Sequence, residues 1–306
     1  MADLPESRTS PEPPFTHCGV DLFGPFYVKD GRKVVKRYGV IFTCFYLRAV
    51  HIEVAATMDT TSFINALRRF IARRGQIRSL LSDNGTNFVG ADNELFKEIN
   101  QLDHNKIQEF LQLHNCDWID WKRNPPISSH MGGVWERMIR SVRNIFNSLL
   151  DHHASHLDDE SLRTLMAEAE AIINSRPLTT ENLSEPQSST LTPMQLLTTK
   201  IKVILAPPGD FQPTDIYCRK RWRHVQFLAN EFWQRWQKEY LTILQNRQKW
   251  LIENRNFQVN DIVLVKEDGL PRNRWRVARG IDTHPSHDSM VRSVTVRLTP
   301  SGTELI

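Results

Sequence analysis

Three acidic residues stand where a carboxylate could do chemistry. Asp21 lies inside HCGVDLFGPF, Asp83 follows the apolar run Ile77 to Leu81 in LSDNGTNFVG, and Glu136 opens an amphipathic stretch behind the loop NPPISSHMGG. An acid delivered to a strand tip, just where Asn84-Gly85 turns the chain, is held at the rim of a sheet, a position that suits a metal ligand or a general base. Taken alone, Asp-Asn-Gly also serves as a plain turn. Three acids brought together need compensation, because two unit charges about 4 Å apart repel by on the order of 4 kcal/mol at an effective dielectric of about 20. Divalent cations supply it. Hard oxygen ligands in an open cluster select Mg²⁺ or Mn²⁺, and two such ions can serve an in-line displacement at phosphorus. That chemistry acts on nucleic acid.

The elements that must position these acids follow from periodicity. Residues 1–14 are rich in Pro, Ser and acid and read as an extended lead-in. A first strand carries Asp21 and is closed by Gly24-Pro25. After a charged turn, Lys29 to Arg37, the run YGVIFTCFYLRAVHIEVA is dense in β-branched and aromatic residues and long enough for two further strands, broken near Tyr46 to Arg48. Thr60 or Thr61 caps a helix that runs to Arg74 and ends at Gly75, with Phe63, Ile64, Leu67, Phe70 and Ile71 at helical spacing. The strand bearing Asp83 comes next, then helical segments from about Asp92 to His114, then a strand in CDWIDWKRN. The order βββαβαβ predicts a mixed five-stranded sheet flanked by helices, with the first strand central and Asp21 beside Asp83.

The helix predicted over Val134 to Leu150 turns Val134, Met138, Ile139, Val142, Ile145, Phe146 and Leu149 to one face. Glu136, Arg140, Arg143 and Asn147 share the other, at offsets of four and seven residues. Such a stripe is also what an ordinary solvated helix shows, with i,i+4 pairs worth about 0.2–0.5 kcal/mol each. A further helix spans Asp158 to Ser175, and a polar linker covers Glu181 to Thr190, with a boundary between 185 and 215.

From Asp215 to Arg255 the chain reads as strongly helical, with Trp222, Phe232, Trp233, Trp236, Tyr240 and Trp250 among many basic residues. Aromatics at helical spacing are read as core or a helix-helix seam in preference to base stacking. The last segment, DIVLVK, WRVARGI and MVRSVTVRL, reads as short strands of a small SH3-like β-barrel, made basic by Arg272, Arg274, Arg276 and Arg279. The organisation expected is thus a lead-in over 1–14, a core over 15–185, a linker and helical connector over 186–255 and a barrel over 256–306.

Composition narrows the class. The chain has 306 residues and a formal net charge of +4. The charge is uneven: residues 201–306 hold about 17 Lys and Arg against 11 Asp and Glu, whereas residues 1–200 hold about 22 against 24, an asymmetry of the kind that accompanies nucleic-acid contact. Cys18, Cys44, Cys116 and Cys218 are scattered, without a C-x-x-C pair or histidines at ligand spacing, so neither a disulfide framework nor a zinc site is expected. No apolar run reaches the roughly 18 residues that span a bilayer. The chain therefore reads as soluble and intracellular.

With GVDLFGPF, LSDNGTNF and PPISSHMGGVWERMIRSV in view, the chain resembles the integrase catalytic core of long-terminal-repeat retroelements, with its D,D,E triad on a ribonuclease H-like fold. The flanking MADLP and NSRPLT, and further on RKRWRHVQFLANEFWQRWQKEYL and DIVLVKEDGLPRNRWRVARG, are most similar to BEL/Pao-type retrotransposon integrases, which are cut from a polyprotein. The resemblance covers nearly the whole chain. It implies that Asp21, Asp83 and Glu136 bind two Mg²⁺ or Mn²⁺ ions, and that the enzyme trims the 3′ ends of element DNA with water and then uses the new 3′-hydroxyl to attack target DNA. It also implies DNA contacts from Arg140 and Arg143, from Asn84, and from Ser129 and His130 in the mobile loop of the active site. A homo-oligomer acting on DNA in the nucleus, with no membrane partner, is the corresponding expectation.

Two departures accompany the resemblance. Asp83 and Glu136 are separated by 53 positions, more than in retroviral relatives, so the helical stretch near Asp92 to His114 is an insertion. The N-terminal module of two histidines and two cysteines is absent, as in a polyprotein piece or truncated copy, so no zinc is expected. The competing expectation is a catalytically silent DNA-binding remnant or host-adopted copy.

Overall fold

The computed structural model describes residues 9, 11–82, 103, 105–106, 109, 113, 120–123, 134–153, 157–180, 190–200, 206–244, 255–267, 269–298 and 304–305. The chain divides into two compact units, one formed by Met1–Ile173 with Pro207–Tyr240 and the other by Asn174–Ala206 with Leu241–Ile306.

The first unit is built on a mixed sheet of five strands: β1 (His17–Asp30), β2 (Lys33–Cys44), β3 (Val50–Ala55), β4 (Ser79–Ser82) and β5 (Asp120–Arg123), in the order β3-β2-β1-β4-β5. β1, β2 and β3 are joined by tight turns and pair antiparallel, whereas β4 and β5 run parallel to β1. β1 is therefore central, as the sequence predicts. It does not stop at Gly24-Pro25: pairing with β2 slips in register between Phe23 and Phe26 and then continues to Asp30. A residue without an N–H displaces a ladder locally as a bulge, and the strand resumes beyond it. The charged stretch Lys33 to Arg37 is likewise strand rather than turn, which leaves only a tight reversal at Gly31-Arg32.

Helix α1 (Thr60–Arg74) begins at Asp59, whose carboxylate accepts the Ser62 N–H at 2.6 Å; Asp59, and not Thr60 or Thr61, is the cap. Gly75, at φ +91°, closes the helix. Phe70 of α1 lies flat on Phe42 of β2, with centroids 4.0 Å apart, and meets Phe15 edge-on at 5.4 Å. Against Phe23 and Phe26 of β1 packs α2 (Val134–His153) through Phe146, at 5.5 and 6.3 Å. Met138, Ile139, Val142, Ile145, Leu149 and Leu150 are buried with it. Phe146 also touches Phe232, at 4.8 Å, of the long helix between Arg221 and Leu244. One close approach in this layer requires glycine: a Cβ on Gly39 of β2 would lie 2.3 Å from Phe23 Cζ, because the Phe23 ring lies across the facing strand at that point.

Helix α3 (Asp159–Asn174) closes the outer edge. Glu170 accepts the Ile52 N–H at 2.9 Å, and Arg69 of α1 donates to the Val54 carbonyl at 2.7 Å, so outward-facing groups of edge strand β3 are met by side chains. His51 is sandwiched there, 3.0 Å from Glu53 and 3.1 Å from Glu170. Arg69 and Arg73 pair with Glu53 at 2.6 and 2.7 Å, and Arg74 pairs with Glu170.

In the second unit two short strands, β6 (Thr179–Thr180) and β7 (Thr190–Leu191), pair antiparallel ahead of α4 (Pro193–Thr198), which starts with a full capping box between Thr192 and Gln195. β8 (Ile262–Val265), β9 (Arg276–Pro285), β10 (Val291–Leu298) and β11 (Glu304–Leu305) form an antiparallel sheet around Ala278, Val296 and Leu298. Val296 and Leu298 are buried while Arg297 between them is exposed, the period-two alternation of a strand with one face inward. Of the four arginines read as a basic surface, Arg272 is instead buried, at 3% exposure, and Arg276 is paired with Glu267 at 2.6 Å. Arg272 lies in the turn that the Arg274 N–H closes onto the Pro271 carbonyl at 3.1 Å, and its side chain folds into the unit.

Candidate functional site

Asp21 sits near the middle of β1, two residues before Phe23, so both side chains leave the same face of the sheet. That is the face α2 covers, which brings an arginine on α2 to the acid. Arg143 Nη2 donates to Asp21 Oδ2, while Asp21 Oδ1 accepts the Leu22 N–H at 2.8 Å. Both side chains are largely enclosed, at 15% exposure for Asp21 and 20% for Arg143. A half-buried carboxylate gripped from both oxygens is fixed in direction, and the guanidinium offsets a charge that would be costly to leave alone.

The neighbouring strand brings Leu81 and Ser82, the first residues of the second motif, alongside Gly19 and Val20. β4 runs parallel to β1 with Ser82 opposite Val20, so each strand next reaches an aspartate in the sequence, Asp21 on β1 and Asp83 after β4. Asp83, Asn84, Ser129 and His130 lie outside the described residues. Position 136 falls in the first turn of α2, two helical turns or about 10 Å before Arg143; the Glu136 side chain lies outside the described part. Arg140 is exposed on the same helix.

Asp21 supplies a hard oxygen donor at a place where a cation already sits, which fits a divalent ion. Among the described residues no group of three or more His, Cys, Asp or Glu is gathered as a metal cluster. The structure thus joins Asp21 to Arg143, places the Glu136-bearing turn and the end of β4 on the elements that flank them, and gives Arg143 an internal partner that sequence reasoning, reading it as a DNA contact, did not supply.

The aromatic stripe of α5 (Arg221–Leu244) divides. Phe232, Trp233, Trp236 and Tyr240 are buried, in keeping with a core stripe, and Trp250 lies outside the described residues. Trp222 is not core but 52% exposed. The helix itself starts at Arg221, after a 3-10 turn over Pro213–Tyr217, rather than at Asp215. Among the described residues the cysteines Cys18, Cys44 and Cys218 are free, and no helix is long and apolar enough to cross a membrane.

A family model described as a family of unknown function (DUF5641) matches residues 220–304. No curated protein matches the chain. Among solved structures, it is similar to the human T-lymphotropic virus HTLV-2 integrase catalytic core domain in complex with magnesium, with 17% identity over 60% of this chain and 97% of that one at a TM-score of 0.35. The catalytic core of BIV integrase gives 13% identity over 60% and 95%, at 0.36. A simian T-cell lymphotropic virus intasome in complex with PP2A regulatory subunit B56 gamma gives 12% identity over 94% and 78%, at 0.37.

Proposed function

We propose that this chain is a polynucleotidyl transferase of the retroelement integrase type, most like those of BEL/Pao retrotransposons, acting on DNA through Asp21, Asp83 and Glu136. The observation that carries the reading is the meeting of Asp21 with Arg143: it ties the first motif of the triad, on the central strand, to the helix that holds the third. The parallel pairing of β4 with β1, which ends one residue short of Asp83, supports the placement of the second. The ribonuclease H-like core, the SH3-like C-terminal domain and the boundaries near residues 185 and 255 belong to the same proposal, as do a homo-oligomer and action in the nucleus.

In this reading Asp21, Asp83 and Glu136 hold two Mg²⁺ or Mn²⁺ ions, which when bound supply charge compensation and activation for in-line displacement at phosphorus. The 3′-hydroxyl of the processed strand attacks the phosphodiester and gives up its proton, a new P–O bond forms, the bond to the departing 3′ oxygen breaks, and that oxygen takes up a proton. Asp21 is held for this on a rigid strand by the Leu22 N–H. Arg143 neutralises it when no other cation is near, and Arg140, exposed on the same helix, is free to meet the DNA backbone, with Asn84, Ser129 and His130 contributing from the flanking loops. The test is Mn²⁺-dependent disintegration, the reverse of strand transfer, on a branched DNA substrate. Activity that disappears in Glu136→Gln supports the reading; inactivity of the wild-type chain with DNA still bound would overturn it in favour of a silent DNA-binding protein.

A further inference from the structure

The exposed Trp222 stands on a built platform. Phe211 meets its ring edge-on at 5.8 Å and 82°, and the Arg223 guanidinium lies 5.2 Å from the Phe211 centroid and 5.7 Å from that of Trp222. Arg223 is itself anchored: Nε donates to Asp215 Oδ1 at 2.7 Å, and Nη2 donates to Asp215 Oδ2 at 3.1 Å and to the Asp210 carbonyl at 2.8 Å. Asp215, only 7% exposed, also accepts the Gln212 N–H at 2.9 Å and so fixes the 3-10 turn that leads to Tyr217. The ring is thus held from behind while half of it faces outward, and Tyr217, 79% exposed, stands just before it in the chain.

Between these two aromatics the sequence runs Cys218, Arg219, Lys220, Arg221, with all four exposed. The acids nearest in contact are already taken: Asp215 by Arg223, and Asp158 by Arg221. Aromatic faces alternating with cations complement a polymer that alternates bases with phosphates, and a duplex hides the base faces that such a surface would use. A rigid, pre-placed ring loses little freedom on binding. We propose that Tyr217, Arg219, Lys220 and Trp222 form a binding site for an unpaired DNA strand, with the two rings stacking on bases and the two cations meeting phosphates. The inference rests on the proposed function only in taking DNA as the polymer, and it uses elements other than those that carry Asp21 and Glu136.

The experiment is fluorescence anisotropy of a labelled oligo(dT), about 20 nucleotides long to cover more than one site, with the full chain in EDTA, where no strand transfer occurs and the metal-dependent reading is not at stake. Stacking worth about 1–3 kcal/mol per base converts to an expected loss of about 5- to 150-fold for Trp222→Ala, with most affinity kept in Trp222→Phe. The double variant Arg219→Ala with Lys220→Ala should lower the salt slope by about 1.4, at roughly 0.7 per phosphate, whereas Trp222→Ala should leave that slope unchanged. A duplex of equal length should compete poorly. Wild-type oligo(dT) affinity in Trp222→Ala overturns the inference, and so does an equal loss on single strand and duplex. A changed sedimentation mass with unaltered DNA affinity overturns it too and assigns the ring to a contact between copies. Should Trp222→Ala fail to fold, Tyr217→Ala, at a position 79% exposed, gives the same reading.

Discussion

Arg143 and Asp21 are 122 residues apart in the chain and share a hydrogen-bonded ion pair at the middle of the central strand. The pair makes the acid's environment specific: its charge is met by a partner that α2 carries.

Removal of Arg143 leaves a largely enclosed carboxylate without its partner. Arg143→Ala should lower unfolding stability by about 1–2 kcal/mol in EDTA, below the 3–5 kcal/mol of a fully buried pair because both groups keep some solvent contact. Mg²⁺ should restore part of that loss in the variant and much less in Arg143→Ala combined with Asp21→Asn. Thermal melts with and without Mg²⁺ read both effects, and a variant that ignores Mg²⁺ would separate Asp21 from any divalent ion.

Each of Asp21→Asn, Asp83→Asn and Glu136→Gln should abolish strand transfer and leave DNA affinity within about twofold, since none removes a cation from the DNA-facing surface. Gel assays of strand transfer alongside anisotropy provide the comparison. Strand transfer that survives any one of the three would remove that residue from the proposed triad.

His51 makes stability depend on pH. Burial pushes its pKa down, but hydrogen bonds to Glu170 and Glu53 more than offset this and raise it above the ordinary 6.5, against a smaller opposing push from Arg74. A raised folded pKa means that the stabilisation is fully present below about pH 6.5 and is lost as pH rises through the higher folded value. Arg69 and Arg73 also face Glu53, at 2.6 and 2.7 Å. The urea midpoint should therefore fall between pH 6 and the alkaline side of His51, and His51→Gln should flatten that fall. A wild-type midpoint independent of pH across this window would contradict the buried imidazolium.

Gly39→Ala should cost about 1–3 kcal/mol, the usual range for overpacking a core, because the new Cβ would enter the Phe23 ring at 2.3 Å. Combining it with Phe23→Leu should cost less than the two changes added together. Additive losses in a double-mutant cycle of denaturant melts would mean that the two positions do not meet.

Regular elements were legible because their periods are written locally. The individual strands and α1 of the βββαβ run, Gly75 as the stop of α1, and the apolar face of α2 all follow from spacing within a dozen residues, and the central place of β1 follows from the order in which those elements succeed one another. What was not legible depended on partners elsewhere. Asp59, Thr60 and Thr61 are all competent caps, and only the direction of the chain into α1 selects Asp59. Gly24-Pro25 signals a break, yet β2 continues alongside and absorbs it as a register slip. Arg143 was visible as the seventh residue after Glu136, but the acid it grips lies on β1. Trp222 shares the period of the α5 stripe and still remains outside the core, since burial is conferred by the neighbouring element and not by the residue's own spacing.

The side chains of Glu170 and Arg69 on the outward amide of Ile52 and the outward carbonyl of Val54 have a consequence for self-assembly. A sheet ending in an open strand invites any extended peptide, including another copy of itself, to continue the ladder. Here two of the would-be rungs on the β3 side, the Ile52 N–H and the Val54 carbonyl, are already occupied, so a strand arriving at that border would have to displace Glu170 and Arg69 to extend the ladder.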